Sequence, residues 1–223
     1  MIKKVLIISL LILTGWHTSV CAEANTEKSR PFVEGLEYQV FDPPLAIQTE
    51  NLSSNQVEVS ILFLYACPHC NALDAKLTAW AKQKGKRIVL KRMPAIVGAP
   101  WADQARAFYT AEELGILEKA HTALFKSIHE EGVQYADDQS VMDFFVKQGV
   151  KPEDFLAAFR SPEVNEKVSH ARVMTVEYGI RGVPAIVVNG KYLTAQYFTG
   201  TQDKLIDVLD MLVDSELNKQ KKS

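Results

Sequence analysis

The sequence predicts an α/β fold in which a β-sheet is interrupted by an inserted all-helical domain. An apolar run, Val57 to Ala66, leads directly into Cys67-Pro68-His69-Cys70, where the pattern changes to a helical period. Strand patterns stop after Arg92 and resume only at Ala185, and the chain between them carries helical periodicity alone. A chain of 223 residues can bury a substantial core without cross-links, so we expect one body of two lobes.

The first 22 residues have the pattern of a secretory signal peptide. Lys3 and Lys4 form a basic head, Val5 to Leu13 is almost entirely aliphatic, and Val20-Cys21-Ala22 offers small residues for cleavage. A lipid anchor on Cys21 is the alternative, although valine is a poor match for the residue expected before it. We expect residues 1–22 to be removed and residues 23–34 to form a leader segment.

The charge of the chain excludes one class of partner. Loss of residues 1–22 removes two lysines and no acid, so the formal charge moves from -2 to about -4. No basic face suggests nucleic acid, and we expect proteins or small molecules as partners.

The sheet domain is predicted to occupy residues 35–95 and 180–216. Tyr38 to Phe41 forms a short edge strand that prolines stop, and the unbroken apolar run Val57 to Ala66 predicts an interior strand covered on both faces. A helix runs from Cys67 to Gly85, and Arg87 to Arg92 gives a second strand parallel to the first.

Residues 96–179 are predicted to form the helical insertion. Glycines follow several of the helical segments, and Ser161-Pro162-Glu163 supplies an N-cap, a first-turn proline and a first-turn acid. The segments are Ala102–Leu114, Ile116–Glu130, Gln139–Gln148, Glu153–Phe159 and Pro162–Tyr178.

The sheet is completed after the insertion. Ala185 to Val188 and Lys191 to Thr194 flank Asn189-Gly190, the dipeptide that two-residue hairpin turns favour. Thr201 can cap a last amphipathic helix, and we expect residues 217–223 to form a flexible tail.

The two cysteines of the C-x-x-C unit are candidate catalytic residues for disulfide exchange. Cys67 lies at a helix N-terminus, where unpaired N–H groups favour a thiolate, and His69 can add a donor or a positive charge. Cys70, one turn further in, is expected to be more buried and to act as the resolving thiol.

The pKa of Cys67 decides the direction of exchange, because stabilising the thiolate stabilises the reduced protein against its own disulfide. A fall to about 4 would stabilise the reduced form by about 4 kcal/mol at pH 7, equivalent to about 90 mV. Such a shift would turn a reductant into an oxidant.

Two structural alternatives apply to the same cysteines. The first alternative is a zinc site, but the chain has no second cysteine pair, and His121, His129 and His170 do not have metal-ligand spacing. We therefore expect neither a metal nor a cofactor. A purely structural disulfide is the other alternative, but so short a loop would restrain the unfolded chain little.

A second motif, Gly182-Val183-Pro184, precedes a strand. A cis bond at Pro184 would place the Val183 backbone beside the dithiol, ready to pair with an extended substrate, whereas a trans bond would make it an ordinary strand start. Tyr197 and Phe198 follow in a predicted loop and can flank a peptide groove.

Together the motifs resemble the DsbA family of periplasmic thiol:disulfide oxidoreductases, which have a thioredoxin fold with a helical insertion. The resemblance rests on Cys67-Pro68-His69-Cys70, Arg181-Gly182-Val183-Pro184-Ala185 and Val188-Asn189-Gly190-Lys191-Tyr192, and it covers nearly the whole mature chain.

The resemblance implies a role for each matching residue. Cys67 would be the nucleophile, Cys70 its resolving partner in a redox-active disulfide, Pro68 and His69 the tuning dipeptide, and Val183-Pro184 the substrate-binding loop. It further implies a periplasmic enzyme, here expected to be a monomer, that oxidises unfolded or partly folded exported proteins and is reoxidised by a quinone-linked membrane oxidase of DsbB type.

The chain departs from some relatives in having no acid deep in the strand under the motif. Ile61 to Ala66 is apolar or aromatic throughout, and Glu58 is the only acid earlier in that strand. The group that relays the Cys70 proton is therefore open, with Asp74 and Lys91 as weak candidates.

Two rival functions use the same features. A disulfide isomerase or reductase would keep the pair reduced, although no separate dimerisation region is evident before Tyr38. A peptide-binding chaperone with a structural disulfide would keep its activity without Cys67.

Overall fold

A five-stranded mixed sheet is the centre of the fold, in the order β1-β5-β4-β2-β3. The computed structural model describes residues 31–221, so the predicted signal peptide and most of the leader lie outside the described residues. Strand β2 pairs in parallel with β3, as predicted, and antiparallel with β4. The strands are β1 (Tyr38–Val40), β2 (Val57–Phe63), β3 (Ile88–Pro94), β4 (Ala185–Val188) and β5 (Tyr192–Ala195).

Within residues 31–221, the chain between β3 and β4 contains helices and no strand. The fold class, a thioredoxin-like sheet with a helical insertion, is therefore confirmed, whereas the boundaries assigned to the two domains stay predictions. The helices are α1 (Pro68–Lys84), α2 (Ala99–Glu113), α3 (Leu117–His129), α4 (Asp138–Lys147), α5 (Pro152–Phe159), α6 (Pro162–Glu177), α7 (Gln196–Thr199) and α8 (Gln202–Gln220).

Strand β2 is buried along its whole length, because each face of the sheet has its own apolar layer. Val57, Val59 and Ile61 face a cluster built largely from α1 and α8. Leu62 and Phe63 belong to the other cluster, which joins the sheet to the inserted helices. The strand that leads into the dithiol is thus held from both sides.

The end of β2 differs from the prediction. The strand ends at Phe63 and not at Ala66, because the chain turns and the Cys67 N–H donates to the Leu64 carbonyl at 3.1 Å. Tyr65 is nevertheless buried, so the unbroken apolar run reflects burial of a turn as well as a strand.

Two predictions near the C-terminus are wrong. The segment holding Tyr197 and Phe198 is the short helix α7 and not a loop. The predicted flexible tail begins too early, because α8 continues through Gln220. Leu217 is buried in the core, and the Gln220 amide donates to the Gln56 carbonyl at 3.0 Å.

Helix α1 is joined to α8 along much of its length. Lys76 pairs with Asp203 at 2.6 Å, and the Trp80 indole N–H donates to Asp210 at 2.8 Å. The buried ammonium of Lys84 lies 2.6 Å from Asp210 and 2.7 Å from Asp214.

The β4–β5 hairpin turns as Asn189-Gly190 predicts. Both residues have positive φ, 55° and 62°. A Cβ on Gly190 would lie 2.2 Å from the Leu45 carbonyl oxygen, so the turn admits no side chain there.

No helix within residues 31–221 combines the length and the hydropathy needed to cross a bilayer.

Candidate dithiol active site

The dithiol lies where β2 gives way to α1. Cys67 is the N-cap of α1, with extended backbone angles, and Pro68 occupies the first turn, where its missing N–H costs nothing. The Cys70 N–H points back at the Cys67 sulfur at 3.4 Å. The sulfur of Cys67 therefore takes the place that a Ser or Asp oxygen fills in an ordinary N-cap.

These contacts lower the pKa of the Cys67 thiol from 9.0 to about 6. The hydrogen bond from the Cys70 side chain is the largest cause, partial burial opposes it, and the N–H groups of Cys70 and His69 and the His69 charge add smaller contributions. The direction of this shift is the one predicted. The pKa of about 6 is nevertheless higher than the pKa of about 4 considered in the sequence analysis, so the shift is smaller.

The Cys70 thiol is shifted in the opposite direction. Its side chain is buried, with 3% of its surface exposed. Burial is the main cause of its raised pKa, followed by the hydrogen bond to Cys67 and the negative charges of Cys67 and Asp74. The two sulfurs are free in this structure, which shows the dithiol form.

The smaller shift at Cys67 limits its redox effect. A pKa of about 6 stabilises the reduced form at pH 7 by at most about 1.4 kcal/mol, or about 30 mV, because the partly exposed sulfur is screened by solvent.

The Gly182-Val183-Pro184 loop lies against the dithiol. The Val183–Pro184 bond is cis, one of the two alternatives that the sequence left open. The Val183 carbonyl oxygen is 3.5 Å from the Cys67 sulfur. Pro184 is buried, and with Cys70 it lines a small void.

The rim of the site carries polar and aromatic groups from the C-terminal part of the chain. The amide of Gln196 lies 3.3 Å from Nδ1 of the exposed His69, and the Gln202 amide donates to the His69 carbonyl at 3.2 Å. Tyr197 is 48% exposed and its ring lies beside Gly182, where a Cβ would be 3.6 Å away.

Phe198 lies deeper than Tyr197. It packs against the core, while the two ring centroids are 4.4 Å apart. Only Tyr197 therefore presents a largely open aromatic face beside the loop.

A void of about 10 Å³ lies beside Cys70, close to the minimum that one water molecule needs. Asp74, one helical turn after Cys70, lines it together with Arg92, Phe125 and Pro184. Of the two weak relay candidates, only Asp74 is at this void.

Glu58 and Lys91, which the sequence analysis also considered, lie away from the void beside Cys70. The Lys91 ammonium donates to the Gln48 carbonyl, and Glu58 accepts from the Gln48 N–H and the Ser60 hydroxyl. Neither Lys91 nor Glu58 lines the void beside Cys70. Lys91 is therefore dropped as a relay candidate.

One buried histidine belongs to this neighbourhood and was not predicted. His121 on α3 lies 2.9 Å from the Tyr65 hydroxyl and 3.2 Å from an Asp74 oxygen. One signal could have found it: His121 is a polar residue among Leu117, Ala120 and Leu124 on the apolar stripe of a helix. In residues 31–221, no group of three or more His, Cys, Asp or Glu side chains could hold a metal ion.

Comparison with known proteins identifies the family. The model of the DSBA-like thioredoxin domain family matches residues 94–207. The thiol:disulfide interchange protein DsbA of Burkholderia cepacia is 31% identical over 217 residues, 97% of this chain and 99% of the relative. The chain belongs to the DsbA family.

Further DsbA proteins support this assignment. The DsbA of Pseudomonas syringae pv. tomato is 30% identical over 211 residues, 95% of either chain. The crystal structure of Pseudomonas aeruginosa DsbA matches with a TM-score of 0.78 and 29% identity, covering 85% of this chain and 97% of that one. DsbA from Xylella fastidiosa matches with a TM-score of 0.73 and 32% identity, over 82% and 97%.

Membership in the DsbA family confirms the predicted enzyme class, a protein thiol:disulfide oxidoreductase. The family model begins at residue 94, after both cysteines, and includes Val183 and Pro184. The roles of Cys67, Cys70, Pro68 and His69 therefore depend on this chain's own geometry.

Proposed function

We propose that this enzyme is exported to the periplasm and introduces disulfides into unfolded or partly folded exported proteins. The observation that carries the proposal is the contrast between the two cysteines. Cys67 has an accessible sulfur with a lowered pKa, and Cys70 is buried with a raised pKa. The Cys67 sulfur is suited to react with substrate and to leave as a thiolate. The Cys70 sulfur is suited to re-form the disulfide with Cys67.

The oxidising half-reaction begins with the Cys67–Cys70 disulfide. A substrate thiolate attacks the Cys67 sulfur, a substrate–Cys67 disulfide forms, the Cys67–Cys70 bond breaks, and Cys70 leaves with the electron pair and takes up a proton. A second substrate thiolate then attacks the substrate sulfur of the mixed disulfide. Cys67 leaves as a thiolate, and its lowered pKa makes it a good leaving group.

The reduced enzyme must then be oxidised again. We expect a quinone-linked membrane oxidase of DsbB type to accept the two electrons, with the Cys67 thiolate attacking a disulfide of that partner. Cys70 next attacks the Cys67 sulfur, which releases the partner in its reduced form.

Substrate is proposed to bind along the Val183-Pro184 loop. The Val183 backbone lies beside the Cys67 sulfur, so an extended peptide that paired with it would bring a cysteine to the point of attack. Pro68 and His69 would tune Cys67 from the first turn of α1, and Tyr197 would flank the peptide.

Trapping the mixed disulfide tests the roles of the two cysteines. Cys70→Ser should accumulate disulfides with exported proteins through Cys67, whereas Cys67→Ser should accumulate none. Mixed disulfides that persist in Cys67→Ser would reverse the roles, and full activity of a Cys67→Ala variant would favour a chaperone with an idle cysteine pair.

The redox state of the pair in its native compartment separates an oxidase from an isomerase or reductase. We expect the pair to be oxidised when cells are quenched with acid and free thiols are alkylated. A predominantly reduced pair would favour the isomerase or reductase, and ultracentrifugation should show the monomer expected of the oxidase.

A further inference from the structure

The turn between β2 and α1 has a middle peptide that two helices of the insertion hold at both ends. The Cys67 N–H closes this turn by donating to the Leu64 carbonyl at 3.1 Å, so the Tyr65–Ala66 peptide lies at its centre. The carbonyl oxygen of this peptide lies 2.7 Å from Nε2 of His129, and its N–H donates to Oε1 of Gln104 at 2.9 Å. Both polar atoms of one peptide group therefore bind side chains, one from α3 and one from α2.

The peptide group itself decides how each side chain is oriented. A carbonyl oxygen only accepts, so Nε2 of His129 carries a hydrogen and donates it. A peptide N–H only donates, so the Gln104 amide presents its oxygen. A second proton on the histidine ring is not needed, because Nε2–H is a donor in the neutral ring as well as in the charged one.

Both side chains belong to helices that are packed into the core. His129 is the last residue of α3, and its ring packs on that of Phe125, with the centroids 6.1 Å apart. The Phe125 ring in turn lies 5.0 Å from that of Tyr65. Gln104 lies on α2, and Phe108, one helical turn further along, is buried in the same core. The middle peptide of the turn is thus held by two fixed elements.

The Cys67 sulfur faces groups that are anchored independently of this turn. The Cys70 N–H, 3.4 Å from the sulfur, belongs to α1, and the Val183 carbonyl, 3.5 Å away, belongs to the loop before β4. A shift of the turn would move the sulfur relative to both groups, because the held peptide is one residue before Cys67. The hydrogen bonds from Cys70, which lower the pKa of Cys67, would then weaken.

We propose that Gln104 and His129 are positioning residues for the dithiol reaction, because together they fix the middle peptide of the turn and with it the place of the Cys67 sulfur. Each acts through the backbone that carries Cys67 and not on the reacting atoms. The inference rests on the proposed dithiol function and deepens it, since α2 and α3 of the insertion set the geometry of a nucleophile that follows β2.

Thiolate titration of single variants of the reduced protein tests each end of the peptide. Gln104→Met keeps the length of the side chain and removes the acceptor, and His129→Leu removes the donor and keeps an apolar contact with Phe125. Each should raise the midpoint of the Cys67 thiolate, measured by ultraviolet absorbance, by at least about half a pH unit. The maximal rate of oxidation of a cysteine-containing peptide should fall several-fold and KM should stay within about twofold, because the Val183 loop is unchanged.

Two controls separate positioning from charge and from the substitution itself. His129→Gln is neutral but keeps an N–H as many bonds from the backbone as Nε2, so its midpoint should lie within about 0.2 pH units of wild type. Gln139→Met makes the glutamine substitution at an exposed residue of α4 that binds Asp143 at 2.8 Å. It should change neither the midpoint nor the rate.

A rise smaller than about half a pH unit in either variant, when circular dichroism shows it to be folded, would overturn the proposal. So would a rise in His129→Gln as large as that in His129→Leu, because charge and not the hydrogen bond would then be the cause. Should one variant fail to fold, the other decides, since Gln104 and His129 lie on different helices. If the wild type oxidises no peptide, the dithiol function is wrong, while the titrations still decide whether the two residues position Cys67.

Discussion

The rim of the dithiol site and its interior place the same amino acid in opposite states. On the rim, Cys67 is half-buried and accepts hydrogen bonds, and its pKa falls to about 6. In the interior, Cys70 lies against a void lined by Leu73, Phe125 and the charged Asp74, and its pKa rises.

The contrast shows that position along one helical turn decides the chemistry. N–H groups at the start of α1 face Cys67, whereas Cys70 has passed into the protein interior. Under the proposed function, this difference would give the pair a direction of attack, because Cys67 is partly exposed with a lowered pKa and Cys70 is buried with a raised one.

The largest effect is expected from opening the interior to water. Phe125 is 4% exposed, lines the void and packs 5.0 Å from the rings of Tyr65 and His121. Phe125→Ala should lower the free energy of unfolding by about 3–5 kcal/mol, measured by urea titration. Val176→Ala, at a side chain that is 74% exposed, should change it by less than about 0.5 kcal/mol. Equal losses in the two variants would contradict the described packing.

A direct titration would sharpen the contrast between the sulfurs. Ultraviolet absorbance of the reduced protein should show one thiolate appearing with a midpoint near pH 6, from Cys67, and none from Cys70 up to the alkaline limit of the fold. Since the folded pKa of Cys67 is lowered, its stabilisation of the reduced state is complete above about pH 9 and lost as pH falls through about 6. Two thiolates that titrate together near pH 9 would remove the distinction.

Two neighbouring aromatic residues allow a smaller test at the rim. Tyr197→Ala should raise KM for a cysteine-containing peptide several-fold, with little change in stability, because its ring is half exposed beside the Val183 loop. Phe198→Ala should mainly lower the melting temperature, since this ring packs against the core. If peptide binding responds to Phe198 and not to Tyr197, the groove lies elsewhere.

The smallest effect is expected from the His69 side chain. His69→Ala removes a charge that contributes least among the causes at Cys67 and keeps the backbone N–H that contributes more. The pKa of Cys67 should therefore rise by less than about one unit in the same absorbance titration. His170→Ala, an exposed histidine on α6, should leave it unchanged, and a rise of two units at His69→Ala would give the side chain a larger role.

Much of the fold could be predicted from local patterns. The apolar run before Cys67, the Asn189-Gly190 turn and the first-turn proline at 162 each have a local physical cause, and each led to an element of the expected type. The errors concerned the ends of elements. At Tyr65, for example, a buried turn has the same apolar composition as the buried strand before it, so the end of β2 could not be predicted.

The interior of the site could be predicted less well. His121 is 47 residues from Asp74 in sequence, and no local pattern joins them before α3 packs on α1. The size of the fall in the Cys67 pKa could not be predicted from the sequence either. It depends on the hydrogen bond from Cys70 and on the extent of burial, and both are set by how deeply the start of α1 lies in the protein.

The ion pairs and the indole hydrogen bond between α1 and α8 bear on how the scaffold accommodates the disulfide. Lys76, Trp80 and Lys84 join successive turns of α1 to α8. We therefore expect α1 to keep its place when the disulfide opens and closes, and the change in distance between the two sulfurs to be taken up by side-chain rotation at the first turn of the helix.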